Sequence, residues 1–381
     1  MNRFNLPSHR SPAGLAGVVL AAALLGTSIA PAQPPAEETP RATFSGDVEV
    51  SEVLIDVLVT DRQGNVVVGL GPRDFQVTED GRAVEVTAAA FYSNRRFAGS
   101  VGQSSGAPTP GVDLEAEPQD RYFIFLFDDQ RGHNADVPGL LRRQVTAGRD
   151  AAEWMRRALS PNDWVAVAAY DQRLRLQLDF SRDREAAARA IEAVTTGRGV
   201  GDNWPSRRSE DPATPSLGRV LPAGDQLRDA TGMIYDGLTL LAEAAAPIRG
   251  RKNLLLFTIG FGRMNRFREY EPDPRYYHPM AEALNDANVA VYTFDLTEPG
   301  TRHPFANAMN QIAAETGGRY YSDLPSFGNA LGQVVRQTSG YYLVSYRAEH
   351  PRGLRGFQRV EVKLANPELR WTARRGYRFG D

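Results

Sequence analysis

The sequence predicts an α/β chain: a doubly wound, mostly parallel six-stranded sheet with one antiparallel edge strand, accompanied by a small β-sandwich-like domain. Three observations predict it. Apolar runs at Tyr122–Phe127, Asn253–Ile259 and Val289–Phe294 show no alternation, which is how a strand covered on both faces reads. Helical patterns alternate with such strands between residues 121 and 338. At both ends of the chain, in 44–92 and 339–381, strand patterns follow one another without helices between them. The length, 381 residues at 42% hydrophobic and 24% charged, is enough for two or three domains with a sizeable core.

Residues 1–32 read as a signal peptide. Arg3 and Arg10 form its positive region, Ala13–Ile29 is small and apolar, and Ala30-Pro31-Ala32 offers a cleavage site. The apolar stretch is short for a membrane span. Cleavage is expected to leave an exported chain, periplasmic or secreted, that is not transmembrane; an uncleaved anchor is the competing reading. Residues 33–43 (QPPAEETPRAT) read as a flexible leader. In the N-terminal β domain, 44–92, Val53, Ile55, Val57 and Val59 alternate. The opposite phase of Val48 and Val50 predicts a bulge near Ser51–Glu52. Asp61-Arg62-Gln63-Gly64-Asn65 is a turn. Asp80-Gly81, between Asp74–Glu79 and Ala83–Thr87, predicts a hairpin. Residues 93–120, rich in Gly, Ser and Pro, read as a linker.

The region 121–338 begins with the strand Tyr122–Phe127 and the amphipathic helix Pro138–Leu159. Strand Val165–Tyr170 follows, then Leu174–Leu178, which a three-residue turn makes antiparallel. Ser181 is expected to cap the helix Arg182–Val194. Leu227–Ala246, Pro279–Asn288, Phe305–Thr316 and Ser326–Thr338 are expected helices, the third closed by Gly317-Gly318. Strands Asn253–Ile259, Val289–Phe294 and Arg319–Tyr321 alternate with them. The last segment, 339–381, carries Tyr341–Tyr346, Phe357–Leu364 and Trp371–Tyr377. Three strands are marginal alone, and packing against 44–92 is one way to stabilise them. Trp164 and Trp371 sit in strand contexts and are expected in the core.

Several function classes fall away at this point. A net charge of −2 leaves no nucleic-acid footprint. The chain has no cysteine, which removes disulfides, thiol catalysis and cysteine-bound metals. No G-x-S-x-G or H-E-x-x-H word occurs. Asp128 and Asp129 do follow the first buried strand, and ligands of open α/β sheets sit beyond such strand ends. Phosphoryl-accepting α/β domains also place aspartates there, but they need a lysine after a late strand. Lys252 and Lys363 are the only lysines, and Lys252 precedes its strand. No catalytic residue is assigned, and no enzyme is expected.

A set of words, in order, carries a family resemblance: DVLVTDRQGNVVVGLGPRDFQVTEDGR, RYFIFLFDD, NDWVAVAAYD, LDFSRDREA, IRGRKNLLLFTIGFGR, NVAVYTFDL, AAETGGRYY, TSGYYLVSY and TARRGYR. Together with the element order they resemble the von Willebrand factor A (VWA) domain, and within it the VWA-related domain proteins abundant in acidobacteria. The resemblance covers most of Val48–Phe379. It implies an exported protein with a Rossmann-like VWA domain between β segments, and no assigned activity.

The resemblance also implies a metal-ion-dependent adhesion site, with Asp-x-Ser-x-Ser after the first strand, a Thr on a second loop and an Asp after the fourth strand. Mg²⁺ and Ca²⁺ want such oxygen ligands. Here Asp128 matches the first Asp, the serine positions are Gln130 and Gly132, and Thr231 is the available Thr. The last position falls in Thr258-Ile259-Gly260-Phe261, which has no carboxylate. A degenerate site follows, with Asp128 and Thr231 as vestigial ligands and either no cofactor or a weakly bound Mg or Ca ion. The alternative for Asp128 and Asp129 is that they cap the next helix and bond to neighbouring loops.

Strand directions place the loops Thr195–Gln226, Gly260–His278 and Asp295–Pro304 on the Asp128 edge. His133, His278 and His303 lie on this edge with Glu269, Glu271, Asp273 and Asp295, but no pair has metal-like spacing. The edge also carries aromatics and arginines, the composition of interaction hot spots. Asp129, Trp204, Arg266, Phe267, Arg268, Tyr270, Tyr276 and Tyr277 are the partner-binding candidates; loops that fold on their own aromatics are the alternative. The expected function is an exported, non-enzymatic, adhesion-type binding protein with a protein partner. A divalent-metal-dependent binder or hydrolase centred on Asp128, and a structural envelope component, are the competing classes.

Overall fold

The strand patterns at the two ends of the chain assemble into two four-stranded antiparallel sheets. The computed structural model describes residues 48–94, 120–128, 137–197, 211–266, 270–301 and 304–380, all within one compact unit. The signal peptide, the leader, nearly all of the linker, and Asp129, Gln130, Gly132, His133, Trp204, Phe267, Arg268, Glu269 and His303 lie outside the described residues. The N-terminal strands are β1 (Val48–Thr60), β2 (Phe75–Glu79), β3 (Arg82–Val84) and β4 (Val86–Ser93). Asp80 and Gly81 both take positive φ, 44° and 80°, which makes the β2–β3 turn type I′. Only Glu85 separates β3 from β4, and there the chain steps from one sheet to the other.

The α/β region contributes β5 (Arg121–Asp128), α1 (Val137–Ala158), β6 (Asp163–Tyr170), β7 (Leu174–Ser181), α2 (Arg184–Thr196), α3 (Asp225–Ala230), α4 (Ile234–Ala245) and β8 (Lys252–Thr258). It continues with the short strands β9 (Arg263–Met264) and β10 (Tyr270–Glu271), then α5 (Pro274–Asp286), β11 (Val289–Asp295), α6 (Ala306–Glu315), β12 (Tyr320–Tyr321) and α7 (Gly328–Gln337). The chain ends with β13 (Gly340–Pro351), β14 (Gly356–Leu364), β15 (Arg370–Ala373) and β16 (Gly376–Phe379). The sandwich sheets have the orders β15-β1-β13-β4 and β16-β14-β2-β3, so each sheet combines two strands from each end of the chain, alternating in the first and paired off in the second. Ile55, Val57, Phe75, Tyr342, Val344 and Val362 are part of the core between them.

The fold class expected from the sequence is the one observed. The large sheet has the order β12-β11-β8-β5-β6-β7, parallel throughout except for the edge strand β7. Side chains alternate across it. Phe123, Phe125 and Phe127 pack with α1, α2 and α7 on one face, while Ile124 and Leu126 pack with α4 and α5 on the other. An aromatic ladder crosses four strands: Phe127 stacks on Phe257 at 4.5 Å, Phe257 on Phe294 at 4.7 Å, and Phe294 on Tyr321 at 5.1 Å. Each such pair contributes about 0.5–1.5 kcal/mol beyond its buried area, so the strands keep a common register just below their carboxyl ends.

Five local expectations are corrected. β1 has no bulge near Ser51–Glu52: its register with β13 runs unbroken from Val48↔Pro351 to Val57↔Tyr342. The valine phase changes there because Val50, 59% exposed, lies outside the sandwich core. Asp183, not Ser181, caps α2, accepting the N–H groups of Glu185 and Ala186 at 3.0 Å, while Ser181 Oγ accepts from Asp183 N. The helix expected over Leu227–Ala246 breaks at Thr231–Met233 into α3 and α4. α5 starts at Pro274 behind the cap Asp273, so Pro279 lies inside the helix and Tyr276 and Tyr277 are helical rather than in a loop. Ser216–Leu227 is not a free upper loop. Asp179 near the end of β7 accepts Ser216 Oγ at 2.5 Å and the N–H groups of Leu217 and Gly218, and Leu217, Leu221 and Leu227 are core.

The lower edge of the large sheet, where the parallel strands begin, packs on the outer face of β1 and β13. Arg121 is 3% exposed there; its Nε and Nη2 donate to both oxygens of Asp163 at 2.8 and 2.7 Å, and its Nη1 donates to Val335 O. Asn288 donates to Asp56 of β1, and Arg374 bridges Leu54 O and Asn285 O at 2.9 Å each. Lys252 is buried with its Nζ on Ile248 O at 2.7 Å, and loss of water pushes its pKa down from 10.5 to about 7.

Candidate functional site

The upper edge is built where five neighbouring strands end. Asp128 is the last residue of β5 and is fully buried. Its Oδ2 accepts the hydroxyl of Thr258, the last residue of β8, at 2.5 Å, and Thr258 Oγ1 in turn accepts Gly260 N at 2.8 Å. Asp295, which ends β11 opposite Thr258, is also buried. It accepts Thr297 N and Thr297 Oγ1 on one oxygen and the Tyr320 hydroxyl on the other, at 2.7–2.8 Å. Tyr170 ends β6 opposite Asp128 and donates to Thr231 O at 3.3 Å. Burial raises the pKa values of Tyr170 and Tyr320, with Asp128 reinforcing the first and Asp295 the second, so both stay protonated donors.

Thr231 sits at the break between α3 and α4 with no exposure. Its hydroxyl donates to Leu227 O at 2.8 Å and accepts Leu174 N at 3.0 Å, which fastens α3 to the start of β7. Of the oxygens the metal mapping retains, Asp128 Oδ2 is engaged with Thr258 and the Thr231 hydroxyl with the backbone. Among the described residues no group of three or more His, Asp or Glu side chains could hold a metal ion. The described donor set does not fit a divalent cation.

The described residues of Gly260–His278 form the antiparallel pair β9–β10 and the first turn of α5. Gly262 makes its neck possible: with φ at +144°, a Cβ there would lie 2.6 Å from Glu271 O. Asn265 Nδ2 donates to Glu271 at 3.3 Å across the hairpin. Asp273 caps α5, and its carboxylate pKa is held at about 2, first by the Arg275 guanidinium on both its oxygens. Asp273 N donates to the Tyr235 hydroxyl at 3.1 Å, tying the hairpin base to α4.

The sequence candidates separate on this frame. Tyr277 is 1% exposed and donates to Glu315 at 2.7 Å, so it is a core residue. Tyr270 is half-buried against Phe305, ring centres 4.3 Å apart. Arg266 and Tyr276 are exposed, and Tyr276 lies 6.0 Å from the ring of Tyr235. Met264 (55% exposed) lies on β9 and Met233 (37%) just before α4, while Arg263 and Arg275 both pair with Asp273. Sequence reasoning missed both methionines. The signal available for Met264 is its place among polar hairpin residues, where an apolar side chain has no core to join.

No protein-family profile matches the chain, and no curated protein does. Solved structures do. The chain is similar to the vWF domain of the type V pilus tip protein Mfa5 from Porphyromonas gingivalis, at 14% identity over 37% of this chain and 38% of that one, with a TM-score of 0.24. It is similar to the conserved hypothetical protein BatB from Bacteroides thetaiotaomicron at 15% identity over 57% and 97%, with a TM-score of 0.36. It is also similar to a von Willebrand factor type A protein from Catenulispora acidiphila, at 11% identity over 87% and 72%, with a TM-score of 0.34. Two of these three are named for von Willebrand factor domains, one of them type A. The chain spans well under half the length of the Mfa5 domain it matches.

Proposed function

We propose that the chain is an exported, non-enzymatic binding protein of VWA type that contacts a protein partner through the upper face of its α/β domain. One observation carries the reading: polar groups of the strand-end row are buried and hydrogen-bonded, while three apolar side chains above them, Met264 of β9, Met233 just before α4 and Tyr276 of α5, are exposed. Asp128 and Asp295 have hydroxyl partners at 2.5–2.8 Å. Met264, Met233 and Tyr276 are turned to solvent beside Arg263 and Arg275. Methionine, tyrosine and arginine around a half-exposed apolar centre make a contact surface rather than a reaction centre. In this reading Asp128 and Thr231 are remnants of a metal-ion-dependent adhesion site, and any Mg or Ca ion is bound weakly. The N-terminal signal-like segment supports export, to the periplasm or beyond.

The test compares variants in one capture experiment. Immobilised mature protein should retain a defined set of envelope proteins. The double variant Met264→Asp and Tyr276→Asp should lose that set with its melting temperature unchanged. Val220→Asp, exposed elsewhere on the domain, should keep it. Retention of the same set by the double variant would place the partner on another surface.

A further inference from the structure

The 13-residue strand β1 has unequal neighbours. β13 runs beside it from Val48 to Val57, whereas β15 pairs only with Val57–Thr60. On the β15 side, Val50–Leu54 has no strand partner among the described residues. The Leu54 carbonyl points to that side, since it accepts Arg374 Nη2 at 2.9 Å. Backbone groups of an antiparallel strand alternate in direction, so Val50 and Glu52 aim their N–H and C=O groups the same way. An open groove of about 690 Å³ lies along this edge, lined also by Leu354, Arg355, Arg374, Tyr377, Arg378 and Phe379, with Glu49 beside Glu52 on the β1 side. Val50, Leu54 and Leu354 are 59%, 46% and 57% exposed.

We propose that this groove is a strand-addition site, separate from the upper face. An extended segment of a partner protein pairs with Val50 and Glu52 and stops at Leu54, whose carbonyl Arg374 holds, with a cationic side chain opposite Glu52 and apolar side chains opposite Val50 and Leu54. Added strands gain affinity from the main chain and specificity from alternate side chains. Val50, Glu52 and Leu54 share one face at period two, so the template reads apolar, acidic, apolar. Directly opposed opposite charges stabilise a strand pair and like charges destabilise it. That rule disfavours a second copy of this chain: two β1 edges paired antiparallel about Glu52 would set Glu52 against itself. A foreign strand with a central Arg or Lys meets no such penalty.

The probe is the synthetic heptapeptide Thr-Val-Thr-Arg-Thr-Val-Thr, blocked at both ends, against the same peptide with Glu in place of Arg. The protein is the full mature chain, and binding is read by fluorescence anisotropy. The Arg peptide should bind saturably, about tenfold more tightly than the Glu peptide. Glu52→Arg should reverse the order. Glu52→Pro should abolish both, because it removes an N–H that faces the groove and leaves the β13 ladder intact; circular dichroism checks that the fold survives. Equal binding of the two peptides, an order that Glu52→Arg leaves unchanged, or no saturable binding at millimolar peptide overturns the proposal. So does binding that appears only when residues 33–43 are removed, since the chain's own leader would then be the occupant.

Discussion

The two edges of the large sheet use charge in opposite ways. At the lower edge long cations are buried between two layers: Arg121 on Asp163, Arg374 on the carbonyls of Leu54 and Asn285, Lys252 on Ile248. At the upper edge short side chains bond to one another, Asp128 to Thr258 and Asp295 to Thr297 and Tyr320. Density of buried charge is the usual pointer to a functional site. Here it points to the seam that holds the sandwich to the α/β layer. The upper edge is the one that shows methionine and tyrosine to solvent. Buried cations therefore mark assembly in this chain, and exposed apolar surface marks the place to look for a partner.

The comparison breaks most visibly at Arg121. Truncation to Ala leaves the Asp163 carboxylate buried without its bidentate partner, a loss of the class that costs about 3–5 kcal/mol. Urea unfolding should show that drop as a lower midpoint at unchanged slope. A loss under about 1 kcal/mol would mean that the pair is solvated.

Lys252 gives a pH-dependent version of the same test. Its pKa falls from 10.5 unfolded to about 7 folded, through burial against the weaker pull of Asp56. Below about pH 7 the lysine is charged in both states, and the folded state carries the full desolvation cost. Between about 7 and 10.5 the unfolded chain holds the extra proton, so stability rises with pH across that window. Lys252→Met removes this contribution. The rise should flatten, and at pH 7 the variant should be about 1–4 kcal/mol more stable. An unchanged slope in chemical denaturation would assign the pH dependence to other groups.

The sequence makes the large sheet legible because strands buried on both faces carry apolar runs with no competing period, as in Tyr122–Phe127. It hides what depends on neighbours across strands. Thr258 is invisible as a site residue because the position sought was a carboxylate, and only the pairing of β5 with β8 brings its hydroxyl to Asp128. The start of α5 was obscured by two prolines. Pro279 resembles a first-turn proline, but Asp273-Pro274 is the working cap and moves Tyr276 and Tyr277 onto the helix. Tyr277 then falls on the buried face, and no count of aromatics in a loop could separate it from Tyr276. The open edge of β1 is equally silent in the sequence. It exists because the chain leaves β15 at Arg374, and the sequence pattern of β1 is the same whether or not a neighbour lies beside it.

The smallest expected effect is at Asp128, and it sharpens the comparison most. Asp128→Asn keeps the side chain's shape and leaves a carbonyl oxygen to accept the Thr258 hydroxyl. Because the hydrogen bond stays made, to an amide rather than a carboxylate oxygen, it should cost about 1–2 kcal/mol, below Arg121→Ala. The same variant addresses the metal. A cation held by Asp128 would stabilise the wild type by mass action, raising its melting temperature with added Mg²⁺ or Ca²⁺ and not that of the variant. With Thr258 donating into the carboxylate and the Thr231 hydroxyl committed to Leu227 and Leu174, the two proteins should respond alike to millimolar cation. A shift in the wild type alone would reinstate Asp128 as a ligand and make the upper edge, like the lower one, a place where charge is the working element.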